Sequence, residues 1–305
     1  MDISIPFFCV AIMLLYAVPG FLLVKTKAVN ADSISAIAKL LMYACQPCLT
    51  VYAFQKASFS WEALGKMGIF LLLAFAAQGI MLGLAYLCFR KKQGDVRYRV
   101  SAVACAFGNC TFMGVPLLEA MLPEYPEAVV YSNVFFVSMS TLGWTLASAI
   151  ISGDAKYISV KKIVFNPATL ALTLALPLYF TGTVLPDMLS DAVTLFGRMT
   201  TPLCMVIMGM RLATVRIRSL FSPLQFLIIA IKQLLMPLVA FALVYFLPLE
   251  HEFMTTFVIL CGCPVASVVL NFSEILGAGQ KDAANLVLLG TMASILTLPL
   301  ISLLC

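Results

Sequence analysis

Charge is missing from most of this chain, and it is missing in stretches of one particular length. Runs of about 20 apolar residues recur along the 305-residue sequence, and the polar gaps between them hold roughly ten residues at most. That run length is what an α-helix needs to cross the hydrocarbon of a bilayer. Charged residues make up 11% of the chain and hydrophobic ones 62%, where a soluble domain carries about a quarter charged. The expected fold class is an all-α polytopic membrane protein, with no soluble domain attached. Ten spans can be drawn, near 4–24, 33–55, 67–89, 99–121, 128–151, 164–182, 188–212, 222–247, 253–275 and 283–304.

The opening "MDISIPFF" has an acid and no basic n-region, so it is expected to be a retained helix and not a cleaved signal. The 10 cysteines are scattered through apolar segments, and the only histidine is His251. Cys45/Cys48, Cys261/Cys263 and Cys105/Cys110 have no histidine beside them, so no metal site and no cofactor are expected.

The gaps between spans alternate in charge. Lys25 and Lys27, Arg90 to Arg99, Lys156 to Lys162, Arg211 to Arg218, and Lys281 hold 14 of the 19 basic residues and fall in every second gap. The other gaps hold Lys56, Lys66 and acids such as Glu124, Glu127, Asp187, Glu250 and Glu252. The positive-inside rule puts the basic gaps in the cytoplasm and both termini outside, for a multi-pass protein of the cell membrane. The net charge of +5 follows from this asymmetry and calls for no nucleic-acid partner. The expected partners are the lipid bilayer and a solute; a homodimer is left open.

Residues 1–152 contain five of these spans and residues 163–305 five more, joined by a short cytoplasmic linker at 153–162. An odd number per half puts the halves in opposite orientations, which predicts a 5+5 inverted repeat. Pro47 and Pro202 are 155 residues apart, as are Gln78 and Gln233.

Two spans carry their own interruptions. Span four contains "GNCTFMGVPLL" at 108–118, and span nine contains "CGCPVASVVLN" at 261–271. Each has glycine and proline at mid-membrane. Proline removes a backbone donor but suits the first turn of a helix. Pro116 and Pro264 are therefore expected to start second half-helices at 117 and 265, after unwound backbone at Gly108 and Gly114, or at Gly262. The N–H groups of such starts suit an anion. Backbone left open at this depth is tolerated only where it is buried in protein or lines a cavity. Interrupted segments in matching places of two halves are a sequence pointer to a carrier's binding site. The candidate substrate-binding residues are Asn109, Thr111, Gly114, Pro116, Pro264, Ala266, Ser267 and Asn271. The register between the two breaks stays open: 155 pairs Asn109 with Pro264, and 148 pairs Pro116 with Pro264. A proline kink repaired locally by Ser or Thr is the plainer alternative.

Lys39, Arg198 and Lys232 lie inside spans. Lys39 is near enough to a cytoplasmic end to snorkel. Arg198 and Lys232 are deep enough to serve a solute or a gate, or to pair with helix carbonyls. Gln46, Gln78 and Gln233 are polar groups that either line a path or bridge helices. No aspartate or glutamate lies mid-span; Glu119, Asp191 and Glu274 are near ends. Cations without buried acids favour an anionic solute, and no nucleophile–base or metal set falls at a shared depth for an enzyme.

At this point a family resemblance can be read. "GNCTFMGVPLLEAM" resembles the fourth-helix signature of the auxin efflux carrier superfamily, which includes the plant PIN carriers and many bacterial permeases. Its Asn-x-x-x-x-Gly-x-Pro-Leu-Leu core is present as Asn109, Gly114, Pro116, Leu117 and Leu118. The stretch from Pro19 to Phe54, "PLCMVIMGMRLA" at 202–213 and "LLGTMASILTLPLI" at 288–301 are similar to the first two, seventh and last helices. The resemblance implies ten helices, scaffold and transport subdomains, and helices four and nine crossing at their unwound prolines. It also implies a solute beside that crossing, at Asn109, Pro116 and Pro264, and alternating access. Auxin, malate and malonate are the solutes it suggests, all organic carboxylates. The linker at 153–163 is short and the second crossover departs from the plant pattern, so a bacterial-type permease is expected.

Overall fold

The computed structural model describes residues 3–159, 161, 163 and 165–305. Lys162 and the first two residues of "MDISIPFF" lie outside them. In chain order the helices are α1 (Ser4–Lys25), α2 (Ser33–Lys56), α3 (Trp61–Cys88), α4 (Val96–Ala104), α5 (Cys110–Met121) and α6 (Glu127–Ser152). They continue with α7 (Pro167–Thr181), α8 (Asp187–Thr214), α9 (Pro223–Val244), α10 (His251–Gly262), α11 (Ser267–Ile275) and α12 (Gln280–Leu304). Among the described residues the only β-pairing is an isolated bridge between Gly108 and Val265.

Seven of these helices, α1, α2, α3, α6, α8, α9 and α12, are long and apolar enough to cross a membrane. The sequence divides into ten spans; the other three stretches are occupied differently. α7 is a 15-residue helix. Segments 96–121 and 251–275 are each split into two short helices, because the backbone at 105–109 and 263–266 leaves the helical ladder. Large apolar side chains such as Leu72, Leu174 and Phe246 are 71%, 66% and 86% exposed on the outside of the bundle. Such a surface suits lipid and not water.

Prolines shape the helices in a regular way. π-turns at Leu41–Cys45, Cys110–Gly114 and Ile231–Leu235 each stop two residues before a proline, at Pro47, Pro116 and Pro237. Proline offers no N–H to the carbonyl four residues back and its ring presses on that carbonyl. Widening the turn relieves both. The carbonyl orphaned by Pro116 is that of Phe112, and it accepts instead from the Thr201 hydroxyl at 2.8 Å.

Glycine sets the closest helix contacts. A β-carbon on Gly20 of α1 would overlap the carbonyl oxygen of Val206 in α8, and one on Gly209 of α8 would overlap that of Ala17 in α1. The two backbones therefore touch directly, as small residues allow in membrane helices. Gly197 of α8 likewise faces the backbone of Leu49 in α2, 3.2 Å from where its β-carbon would stand. Helices α1, α2, α7 and α8 pack on one another, while α3, α6, α9 and α12 pack around the two interrupted segments.

Candidate functional site

The two breaks touch. The Asn109 N–H donates to the Pro264 carbonyl at 2.7 Å, and the Ala266 N–H donates to the Phe107 carbonyl at 3.0 Å. These bonds flank the Gly108–Val265 bridge as a two-fold pair. Asn109 thus stands against Pro264, the pair that the offset of 155 brings together, and Pro116 does not. Gly108 is required by close approach: its β-carbon would stand 3.0 Å from Lys232 Nζ and 3.2 Å from the carbonyl oxygens of Leu260 and Cys263. Gly114, at the next level, faces Leu260 Cδ2 at 2.6 Å from its own β-carbon position.

The half-helices begin at Cys110 and Ser267, not at 117 and 265. Pro116 is housed within α5 by the π-turn before it, so it marks no helix start. Pro264 lies three residues before α11, in extended backbone bounded by Cys263 (φ −54, ψ 145) and Ala266 (φ −71, ψ 140). Gly114 falls in the π-turn, and the unwound stretch of the first break is 105–109.

Each restart leaves donors open. Asn109 caps α5: its Oδ1 accepts from the Phe112 N–H at 3.3 Å. The Thr111 N–H turns toward the Cys110 thiol, and the N–H groups of Ser267 and Val268 at the start of α11 have no acceptor among the described residues. Asn109 Nδ2 also donates to nothing among the described residues. All four residues line one cavity of about 70 Å³, together with Gln46 of α2, Ala266 and Asn271. A water needs about 10–15 Å³ of such space, so the cavity admits a few waters or a small polar group.

Two larger cavities, of about 580 and 780 Å³, adjoin it. Asn271 and Met42 line all three, and they touch, Asn271 Nδ2 lying 3.7 Å from Met42 Sδ. Lys161 borders the first of the larger cavities, and Lys39, Arg211 and Glu274 the second. These belong to the basic gaps and ends of the sequence, so the small cavity has as neighbours two cavities bordered by basic side chains.

The remaining sequence candidates fall elsewhere. Lys232 is wholly buried, with Nζ donating to the Cys261 carbonyl at 2.6 Å. It sits behind the crossing, outside the cavity lining. Arg198 is near the acidic-side end, where its guanidinium meets the Tyr52 hydroxyl at 3.4 Å beside the Lys56–Glu119 pair. It does not reach the crossing; its position on α8 points it along α2. Gln78 donates to the Ser138 hydroxyl at 2.8 Å and the Phe135 carbonyl at 3.4 Å. Gln233 donates to the Gly290 carbonyl at 2.6 Å and accepts from Thr297 at 2.8 Å. Both glutamines bridge helices and line none of the three cavities.

Arg211 is the residue that sequence reasoning drew just inside the end of span seven but counted with a basic gap and gave no role at the site. It lies in the last turn of α8, lines the small cavity and pairs with Glu274 of α11 at 2.7 Å. The signal was there: a span ending at 212 with a cation one residue inside it is a helix C-terminus, where a cation is favoured. No glutamate or aspartate lines the small cavity.

The family described as "Membrane transport protein" matches residues 7–161 and 154–302, which together take in nearly the whole chain. No curated protein matches the chain. With seven membrane-crossing helices and that match, the chain is a multi-pass membrane transporter and belongs to the auxin-efflux-carrier-like membrane transport family.

Proposed function

We propose that the protein is a secondary carrier of small organic anions, carboxylates above all, working by alternating access around the contact of the two breaks. The observation that carries this is the donor set of the small cavity. Ser267 and Val268, whose N–H groups take no acceptor among the described residues, line it together with Thr111 and the Asn109 amide, and no acid is among the lining residues. A carboxylate has the charge and the acceptor count to meet them, and two helix N-termini add favourable field. Gln46 and Asn271 would complete its polar shell. The opening toward Lys39, Arg211 and Lys161 would draw anions in from the basic, cytoplasmic side of the cell membrane.

In this reading segments 96–121 and 251–275 cross the membrane as broken helices, and with α7 they raise seven spans to ten. The halves 1–152 and 163–305 would then be inverted repeats, with both termini outside. Two observations support the repeat. The two-fold pair of bonds at Gly108–Val265 relates the breaks. Gln78 and Gln233 each donate to a carbonyl 57 residues further on, at Phe135 and Gly290, and both pairs are offset by the same 155.

The test is a thermal-unfolding screen of the purified protein against mono- and dicarboxylates, followed by flux of the best stabiliser in liposomes holding only this protein. Stabilisation and flux, both lost in Asn109→Ala while that variant stays folded, are expected. Full flux by Asn109→Ala would remove this site, and binding without flux would make the protein a sensor.

A further inference from the structure

Pro264 has an effect on the acceptor side of its break as well. It carries no N–H, so the carbonyl of Leu260, four residues earlier, loses its helical partner; that carbonyl is met by the Cys263 N–H at 3.3 Å. The extended backbone at Cys263 turns the following carbonyls out of the ladder. Those of Cys261 and Cys263 take no backbone N–H among the described residues. Several carbonyl oxygens are thus left together at the C-terminal end of α10, where the helix dipole is negative.

Lys232 projects into this cup from α9. Its side chain is 0% exposed, and its Nζ donates to the Cys261 carbonyl at 2.6 Å and lies 3.1 Å from Met236 Sδ. The point where a Gly108 β-carbon would stand is 3.0 Å from Nζ and 3.2 Å from the Leu260 and Cys263 carbonyl oxygens. The ammonium and the carbonyls of Leu260, Cys261 and Cys263 therefore share one small volume that Gly108 keeps open. Among the described residues no carboxylate pairs with Lys232; its ionisable neighbours are the thiols of Cys105, Cys110, Cys261 and Cys263. The negative partner of this buried cation is backbone alone.

A ring of backbone carbonyls at the end of an interrupted helix is the chemistry that holds a desolvated metal cation. We propose that this cup is a monovalent-cation site whose occupant is built into the chain: the Lys232 ammonium fills the position of a sodium or potassium ion, and the crossing is complete without a dissolved metal cation. The inference rests on the cup and holds whichever solute the cavity takes. Lys232 is here a positioning residue, since it lies outside the cavity lining.

The experiment measures the unfolding temperature of the purified protein in choline, lithium, sodium and potassium chloride at one ionic strength. The wild type unfolds at the same temperature in all four. Lys232→Ala unfolds earlier in choline and regains roughly 2–4 °C, saturably, in one of the alkali salts. Lys232→Met, whose chain fills the stem's space without a charge, stays destabilised in every salt. Three results overturn the proposal: Lys232→Ala indifferent to all four cations, Lys232→Met as stable as wild type in choline, or wild type stabilised by an alkali cation. Should the alanine variant fail to fold in any salt, the methionine variant decides: a loss of stability in all four salts upholds the proposal, and stability equal to wild type in choline overturns it.

Discussion

The break at 105–109 and the break at 263–266 meet through one symmetric pair of hydrogen bonds, yet they are finished with different chemistry. In the first, a side chain does the capping: Asn109 takes the Phe112 N–H, and the proline is moved downstream into a widened turn. In the second, the proline lies within the break, the cap position is Ala266, and two N–H groups stay open. The acceptor ends differ as well. At the end of α4 the Val103 carbonyl accepts from the N–H groups of Ala106 and Phe107 at 3.1 and 3.2 Å, whereas at the end of α10 the Cys261 carbonyl accepts from a lysine. A shared backbone contact thus leaves one side supplying a side-chain amide and the other supplying bare backbone donors and a buried cation. Symmetry of the contact does not require symmetry of function.

The comparison can be broken most severely at the glycines. A side chain at Gly108 would press on Lys232 Nζ and two carbonyls, none of which can withdraw, so Gly108→Val should cost about 1–3 kcal/mol or prevent folding. At Gly262 the β-carbon would meet Ile301 Cδ1 at 2.7 Å, the far end of a flexible side chain. Gly262→Ala should therefore cost under about 1 kcal/mol. Thermal unfolding of both variants in detergent checks the order; equal losses would mean that the two breaks are equally tight.

The caps come next. Asn109→Ala removes the cap of α5, at about 1 kcal/mol, and should abolish carboxylate stabilisation. Ala266→Asn gives α11 the cap it lacks and should raise stability by up to about 1 kcal/mol. It should also weaken carboxylate binding, because the added oxygen competes for the open N–H groups. Titrating both variants with the stabilising carboxylate measures the contrast. An Ala266→Asn variant that binds more tightly would show that those N–H groups do not face the solute.

The paired glutamines should give a smaller difference. Gln233 is bonded at both ends, while Gln78 has a buried Oε1 with no partner. Gln233→Leu should cost about 1–2 kcal/mol, and Gln78→Leu less, since it also removes an unmet acceptor. Unfolding curves for the two variants decide this.

The smallest effect lies at the outer rim, where Glu250 pairs with Lys66 at 2.6 Å. Hydrogen bonding from Lys66, with Tyr125 assisting, holds the Glu250 carboxyl below its ordinary range. A depressed acid contributes stability above its unfolded value, about 4.3, and loses it as the pH falls through the lower folded value. The pair is half exposed, so Glu250→Gln should cost no more than about 0.5 kcal/mol near neutrality. The difference from wild type should vanish at the acid end of an unfolding series.

Much of this was legible in the sequence, for reasons that differ by residue. Asn109, Thr111, Ser267 and Asn271 could be named because polar groups at mid-membrane must line something, and they do line one cavity. The helix starts were misjudged because a proline can be absorbed by a π-turn, as at Pro116, or sit in extended chain, as at Pro264; composition alone does not separate these cases. Arg211 was counted with a basic gap because a basic side chain ends an apolar run, although it lay inside the span drawn to 212 and α8 continues to Thr214. Arg198 and Lys232 looked alike in sequence. Only the packing separates a cation at the rim from one enclosed by carbonyls.

One contact limits how any of this can move. Where Gly20 and Gly209 bring α1 and α8 together, main chain rests on main chain with no side chain between to act as a bearing. Sliding one rod past the other would drive carbonyl oxygens into opposing backbone within a fraction of a turn. Gly197 against Leu49 pins α2 to the same slab. Rearrangement that empties the cavity must therefore carry these three helices as one plate, with its slip plane where larger side chains separate them from the crossing.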